Sequence, residues 1–395
     1  MGNVNQYLGL VECNNFAYDS ERFHMRNYEK IGDHTIKKFE LVSEYAEGWA
    51  HKILGYSQSA GLIYIDCMCN CGKYYDNNGN IVEGTAIRVA RAINQINTLH
   101  QKEAILYFND LDKDKIHHLK SVIDKMDLHF VTIRYYNADA NELLKMIAKL
   151  NFDQHNTLLF YDPYQADIDW NALEPFFNIW GEVIINHMVS DVIRGAKNAN
   201  NPEKIAKYEK TYHKSIDEII KTSNCPNNRE EFEKITNSII ESCVYTNNKK
   251  YYIASFPFYI KTNQLIYNLI YFSWNIKGMI LFKKTAWDVF GGQSSIKHTV
   301  ASEMPGQMCL DFDTGNIKRD VRPGIYTVYD IAKYIYSKYK DRGEVTWKEI
   351  YVHLEQHPIF PCDGYKPEIK NMLKDSFGTV NKINSVIFKD RGIYE

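Results

Sequence analysis

No stretch of this chain approaches the roughly 20 apolar residues that a membrane span needs. The most apolar windows, around Leu265–Trp274 and Met279–Phe282, are broken by Asn268, Asn275 and Lys277. The N-terminus, MGNVNQYLGLVECNNFAYDSERF, has no basic segment leading into an apolar core, so no secretory signal is expected. Gln6 stands where a myristoylation signal has Ser or Thr. Positive charge is not in excess: the formal net charge is −2, which leaves no global basic field to attract nucleic acid. There is no phosphate loop, no nucleophile elbow and no internal repeat. The eight cysteines are scattered apart from one cluster, and with no secretion signal they are expected as reduced thiols in a cytoplasm.

What is present is an alternation of strands and helices over 395 residues, long for one domain and sufficient for two. His34 to Leu54 has apolar residues three and four apart, which predicts one amphipathic helix. Strands are predicted at Leu62–Asp66, Ala104–Phe108, His129–Ile133, Thr157–Tyr161 and Glu182–Asn186. Helices are predicted between them, over Gly84–Ile96, up to Leu119 and Met126, over Glu142–Leu150 and over Trp170–Ile179. This pitch implies an α/β fold with a doubly wound, mostly parallel sheet. Tyr252–Tyr259 and Leu265–Phe272 read as an antiparallel pair closing it. The polar stretch 197–248 reads as a helical insertion, and 291–324 as a linker. From 325 to 395 three short helices and a wing of strands are expected, a winged-helix pattern. There Lys366, Lys370 and Lys374 interleave with Asp363, Glu368 and Asp375.

The segment LIYIDCMCNCGKYYD is the most informative. An apolar run ends in Asp66, and Gly72 follows six residues later. An open α/β sheet places its first ligand-binding turn at the carboxyl end of strand one, so a nucleotide or S-adenosylmethionine pocket is expected here, with details that depart from the usual pattern. Such turns are usually rich in glycine, so that backbone can approach the ligand closely. This one has Cys67, Cys69, Cys71 and Asn70 around Gly72. Three alternating thiols do not converge easily on one ion, so no metal is expected. His117, His118, His353 and His357 have no convincing partner spacing.

Acids recur at the other strand ends. Asp110 follows strand two, where a carboxylate accepts from ribose hydroxyls; it equally suits a helix cap. Asp139 and Asn141 follow strand three, where an acid accepts from an adenine amine; both also suit a helix start. Asp162-Pro163-Tyr164 follows strand four. In an amino-group methyltransferase the acid and a backbone carbonyl there accept from the target amine, and the aromatic stacks on the target base. The bland alternative is a turn.

The order of these motifs resembles the three-Cys-motif partner family (TcmP), bacterial proteins encoded beside a radical-S-adenosylmethionine-like protein with a three-cysteine motif. The resembling pieces are HTIKKFELVSEYAEGWAHKIL, YIDCMCNCGKYYDNNGNIVEGTAIRVARAI, LYFNDLDKDKIHHLK, NADANELL, LLFYDPYQADIDWNALEPF with VIINH, LIYNLIYFSWNIKGMILFK and WKEIYVHLEQHPIF…EIKNMLKDSF. Together they cover nearly the whole chain outside the extension 1–33 and the linker. The resemblance implies a class I methyltransferase-like Rossmann domain over 34–290 and a C-terminal winged helix. It carries the family's Asp-Gly-Phe-Ala-Gly-x-Gly turn onto Asp66–Gly72, with Cys67 and Asn70 in place of glycines. It carries the family's strand-end acids onto Asp110, Asp139 and Asp162. Asn70 tolerates a positive φ better than most residues, so the turn can close.

Two functions compete. The first is an S-adenosylmethionine-dependent methyltransferase acting on an amino group, with nucleic acid one candidate target, and with Asp66, Cys67, Asn70, Gly72, Asp110, Asp139 and Asn141 at the cofactor and Asp162, Pro163 and Tyr164 at the target. The second is a non-catalytic protein of the same fold that serves a radical-enzyme partner or binds nucleic acid through its winged helix. The substituted turn favours the second, and the acids at the strand ends favour the first.

Overall fold

The computed structural model describes residues 28–150, 155–244, 250–260, 264–296, 308–310, 317–319 and 325–388. Its centre is a seven-stranded sheet made of β1 (Gly61–Asp66), β4 (Glu103–Asn109), β5 (Thr132–Tyr136), β6 (His155–Tyr161), β7 (Gly181–His187), β8 (Tyr252–Tyr259) and β9 (Leu265–Ser273). A hairpin, β2 (Lys73–Tyr75) and β3 (Ile81–Glu83), intervenes after β1. The sheet order is β5-β4-β1-β6-β7-β9-β8. The first five strands in that order run parallel, and β9 is antiparallel to both its neighbours. Every residue of β1 is buried, as a central parallel strand with both faces covered requires.

Helices cover both faces. Leu62 and Tyr64 of β1 pack in one core with α1 (Asp33–Gly55), α2 (Thr85–His100), α3 (Lys113–Ile123) and α10 (Ile276–Val289). Ile63 and Ile65 point the other way, into a core with α4 (Ala140–Ile147), α5 (Trp170–Leu173) and α9 (Asn228–Cys243). The period of two along the strand assigns each side chain to its face. After β7, a third cluster joins α6 (Val189–Gly195), α7 (Pro202–Tyr212), α8 (Ile216–Ser223) and α9 around Tyr208, Tyr212 and Phe232. Among the described residues no helix is long and apolar enough to cross a membrane.

The third parallel strand and the last helix of the parallel half differ most from their predicted places. The third parallel strand is Thr132–Tyr136, three residues later than His129–Ile133. It lies at the sheet edge, where Thr132 is exposed and only Tyr135 and Tyr136 are fully covered, so the apolar run marks its approach rather than its body. The helix predicted over Trp170–Ile179 stops at Leu173 and tightens into one 3-10 turn at Glu174–Phe176, around Pro175, which has no N–H to donate. The extension at 1–33 and the linker at 291–324 lie mostly outside the described residues. Within the second, β10 (Met308–Leu310) pairs with β11 (Ile317–Arg319).

The C-terminal segment runs α11 (Val328–Tyr339), β12 (Glu344–Thr346), α12 (Trp347–Gln356), α13 (Lys366–Phe377), β13 (Val380–Asn381) and β14 (Ser385–Ile387). Its sheet is antiparallel in the order β12-β14-β13. α10 holds this module by polar contacts. Lys283, 1% exposed, donates from Nζ to the carbonyls of Leu354 (2.8 Å), Glu355 (3.0 Å), His357 (2.7 Å) and Phe360 (2.9 Å). These lie at and beyond the end of α12, where helix carbonyls lack internal donors. One turn on, the Trp287 indole donates to the Ile359 carbonyl, and Tyr365 donates to Asp288.

Candidate functional site at the strand ends

The chain order reverses between β1 and β6, because β1 connects onward to β4 on one side while β6 lies on the other. Such a switch point opens a crevice at the carboxyl ends of the strands. Asp66, Asp110 and Asp162 all lie there, at the ends of β1, β4 and β6.

Asp66 is 2% exposed and, among the described residues, accepts one hydrogen bond, from the Met68 N–H, long at 3.4 Å. Burial, and then the neighbouring Asp162, push its pKa up to about 8. The folded chain therefore keeps a proton that the unfolded chain releases. This contribution to stability is complete below about pH 4 and is lost as the pH rises through about 8. Asp66→Asn, which cannot ionise, is expected to flatten that decline. Urea midpoints at pH 5 and pH 8 test this, and an equal decline in both proteins would assign the effect to other groups.

The turn after Asp66 is stitched to β4. The Cys69 N–H donates to the Asn109 carbonyl (2.9 Å), and the Asn109 amide donates to the Cys67 carbonyl (2.9 Å). Asn70 adopts φ +57°, the left-handed conformation that Asn tolerates better than most residues. Its N–H donates to Asp110 (2.9 Å), its side-chain amide donates to the Tyr164 hydroxyl (2.7 Å), and its Oδ1 accepts from the Cys71 N–H (2.6 Å). Gly72 has φ +78°, and a Cβ there would lie 2.5 Å from Leu119 and 2.9 Å from Ile87, so glycine is required.

The cysteines separate. The Cys67 thiol meets the Phe160 carbonyl at 3.5 Å in one core, Cys69 packs in the opposite core, and the Cys71 thiol donates to the Lys73 carbonyl at 3.1 Å. Burial raises the pKa of all three. Among the described residues no group of three or more His, Cys, Asp or Glu side chains is placed to hold a metal.

Asp110 is 9% exposed and holds the turn: its carboxylate accepts from the N–H groups of Asn70 and Asp112. Asp139, by contrast, is exposed and caps α4, accepting from the Asn141 and Glu142 N–H groups. Asn141 accepts from the Tyr161 hydroxyl at 3.0 Å. The polar atoms of this pair thus serve the helix start and β6.

Asp162 has both oxygens engaged, with Lys38 Nζ at 2.5 Å on one and the Asn186 amide at 2.5 Å on the other. Pro163 is buried, whereas Tyr164 is 67% exposed. Lys115 stands 5.7 Å from the Tyr164 ring centroid and pairs with Glu29 at 2.8 Å. Sequence reading missed Lys38 and Asn186. Neither carries a local signal, because each reaches Asp162 only through the fold. It also missed the hairpin β2–β3, although Asp76-Asn77-Asn78-Gly79-Asn80 is a turn sequence. Asp76 Oδ1 accepts there from the N–H groups of Asn78 and Asn80. An open groove of 720 Å³ lies at this hairpin, between Ile36, Lys73, Ile81 and Arg88, and its lining includes none of the three crevice acids.

The order and direction of the strands, with β9 reversed between β7 and β8, define a methyltransferase-like Rossmann fold. No family model matches the chain, and no curated protein does. Similar solved structures include a Legionella pneumophila protein of the DUF519 family model, at 10% identity over 63% of this chain and 91% of that one, with a TM-score of 0.37. Trm1 from Pyrococcus horikoshii, solved with S-adenosyl-L-methionine, is 12% identical over 87% of this chain and 78% of that one, with a TM-score of 0.35. PKMT2 from Rickettsia typhi, in complex with AdoHcy, is 10% identical over 84% of this chain and 72% of that one, with a TM-score of 0.24. The superpositions are loose, so the fold is read from the sheet itself.

Proposed function

We propose that the crevice binds S-adenosylmethionine and that the chain is a cytoplasmic methyltransferase acting on an amino group. The observation that carries this reading is the set of three largely buried carboxyls, Asp66, Asp110 and Asp162, around one switch point. Buried acids favour a cationic ligand, and Asp66, whose pKa burial and Asp162 push up to about 8, has a charge to gain from one. The residues present therefore fit a sulfonium compound. When bound, S-adenosylmethionine supplies an electrophilic methyl group. Asp66 and the turn to Gly72 would hold its amino-acid part, and Asp110 its ribose. Asp162 would accept from the target amine, and the exposed Tyr164 ring would stack on the target.

The TcmP resemblance supports a three-Cys-motif partner and a bacterial setting. The C-terminal module supports a winged helix for partner or nucleic-acid contact: it follows the order helix, strand, helix, helix, strand, strand. Lys366 and Lys370 on α13 lie against the rings of Tyr351 and Trp347. A non-catalytic role is the second reading. It is favoured by the Asn70–Tyr164 bond and the Lys38–Asp162 pair, which join the sides of the crevice.

Titration with S-adenosylhomocysteine separates the two. Binding is expected to raise the thermal midpoint, by about 2.7 kcal/mol of stabilisation at a hundred times Kd. Asp110→Ala should weaken it, with Asp110→Asn intermediate. No shift at millimolar ligand would favour the non-catalytic reading.

A further inference from the structure

Asn186 is 2% exposed, near the end of β7. The register pairs Phe160 with Ile184 and Tyr161 with Ile185, so one step further brings Asn186 opposite Asp162. Phe160 and Ile184 pack in the core that α1 covers, and the period of two puts Asp162 and Asn186 on that same face. The Asn186 Nδ2 donates to one oxygen of Asp162 at 2.5 Å, with Met188 Sδ at 3.6 Å. A carboxylate can only accept, so the amide nitrogen has to face Asp162 and Oδ1 has to face away. That Oδ1 is fully covered and has no hydrogen-bond partner among the described residues. A buried acceptor left alone is costly, so it marks a place for a donor.

We infer that Asn186 Oδ1 is a second acceptor for the target amine, and that the site takes an amine with two free hydrogens. The inference rests on the methyltransferase reading and names its substrate class. Where the sequence motif leads one to expect a backbone carbonyl, this chain offers a side-chain oxygen. Nδ2 lies 2.5 Å from Asp162, and an amide's nitrogen and oxygen are roughly 2.3 Å apart, so the two acceptors fall within roughly 5 Å of each other. One nitrogen can donate to both across that gap. Asp162 has lone pairs left beyond those that Asn186 and Lys38 engage. Two N–H bonds held in two directions fix the plane of an exocyclic amine and leave its lone pair normal to it. An amine already bearing a substituent has a hydrogen too few and would leave Oδ1 unpaired, so the site rejects it.

Sinefungin tests this without the natural target, because it carries an amine-bearing carbon where S-adenosylhomocysteine has sulfur. Both are titrated calorimetrically into the full-length wild type and variants. The wild type should bind sinefungin roughly tenfold tighter. Asn186→Leu, of similar size, should lose most of that preference through sinefungin alone, with S-adenosylhomocysteine unchanged. Asn186→Thr, whose one short hydroxyl does not span both positions, should behave alike and carries the comparison if the Leu variant does not fold. Asn186→Asp keeps an acceptor oxygen and should retain the preference. In the Asp162→Asn background, Asn186→Leu should still weaken sinefungin, which a residue acting only through the Asp162 carboxylate would not do. An unchanged preference in the Leu and Thr variants, or an equal loss for both ligands, would overturn the inference and leave the adenosyl site standing. Failure of every protein to bind either ligand would overturn the adenosyl site, and the inference with it.

Discussion

Lys283→Ala is expected to lower the unfolding free energy by about 3–5 kcal/mol, read from the shift of the urea midpoint. The substitution leaves the carbonyls of Glu355, His357 and Phe360 without their donor, while that of Leu354 keeps the His357 N–H. Each buried orphan acceptor costs about 1–3 kcal/mol, less what entering water recovers. Burial pulls the pKa of this lysine down to about 7, while the carbonyls, all acceptors, favour the protonated form. Lys283→Met separates packing from hydrogen bonding. It keeps most of the stem, so it should recover little if the donors matter. A loss below about 1 kcal/mol in both variants would mean that water satisfies the carbonyls and that the contact is incidental.

On the methyltransferase reading, Asp162→Ala is expected to abolish methyl transfer, since it removes the acceptor proposed to orient the amine. Affinity for S-adenosylhomocysteine should change little, because Asp66 and Asp110 remain. The variant also leaves the Lys38 ammonium without its carboxylate in a site where the two side chains are 9% and 16% exposed, a loss of about 3 kcal/mol. Asp162→Asn keeps an acceptor oxygen, so its loss of activity should be moderate. Tyr164→Ala should weaken target binding by about 1–3 kcal/mol if the ring stacks on a base. Unchanged transfer in Asp162→Ala would reduce Asp162-Pro163-Tyr164 to a turn.

The sheet was largely legible because its central strands are buried on both faces and read as unbroken apolar runs. β1, β4, β6 and β7 begin or end within two residues of the predicted bounds. The edge strand β5 was displaced because one side of it faces solvent, which breaks the run. Asp66, Asp110 and Asp162 were legible as strand ends. Asp139 had two readings, and the structure uses it as a cap. Lys38 was not legible. It lies 124 residues from Asp162, on a helix whose pattern calls for a lysine no more than any other long side chain. Lys283 was hidden for the same reason: its partners are backbone carbonyls, which leave no trace in side-chain spacing.

The opposed burial of Cys67 and Cys69 has a consequence for oxidative damage. Each sulfur is shielded by a different layer, and burial keeps each in the unreactive thiol form. No single local displacement on one face exposes both. An oxidant reaches one alone when that face loosens, and reaches both only when the turn leaves the sheet altogether. Peroxide sensitivity here is governed by the frequency of opening rather than by thiol chemistry. The pattern of sulfenic acid at 67, at 69 or at both would record which layer gave way.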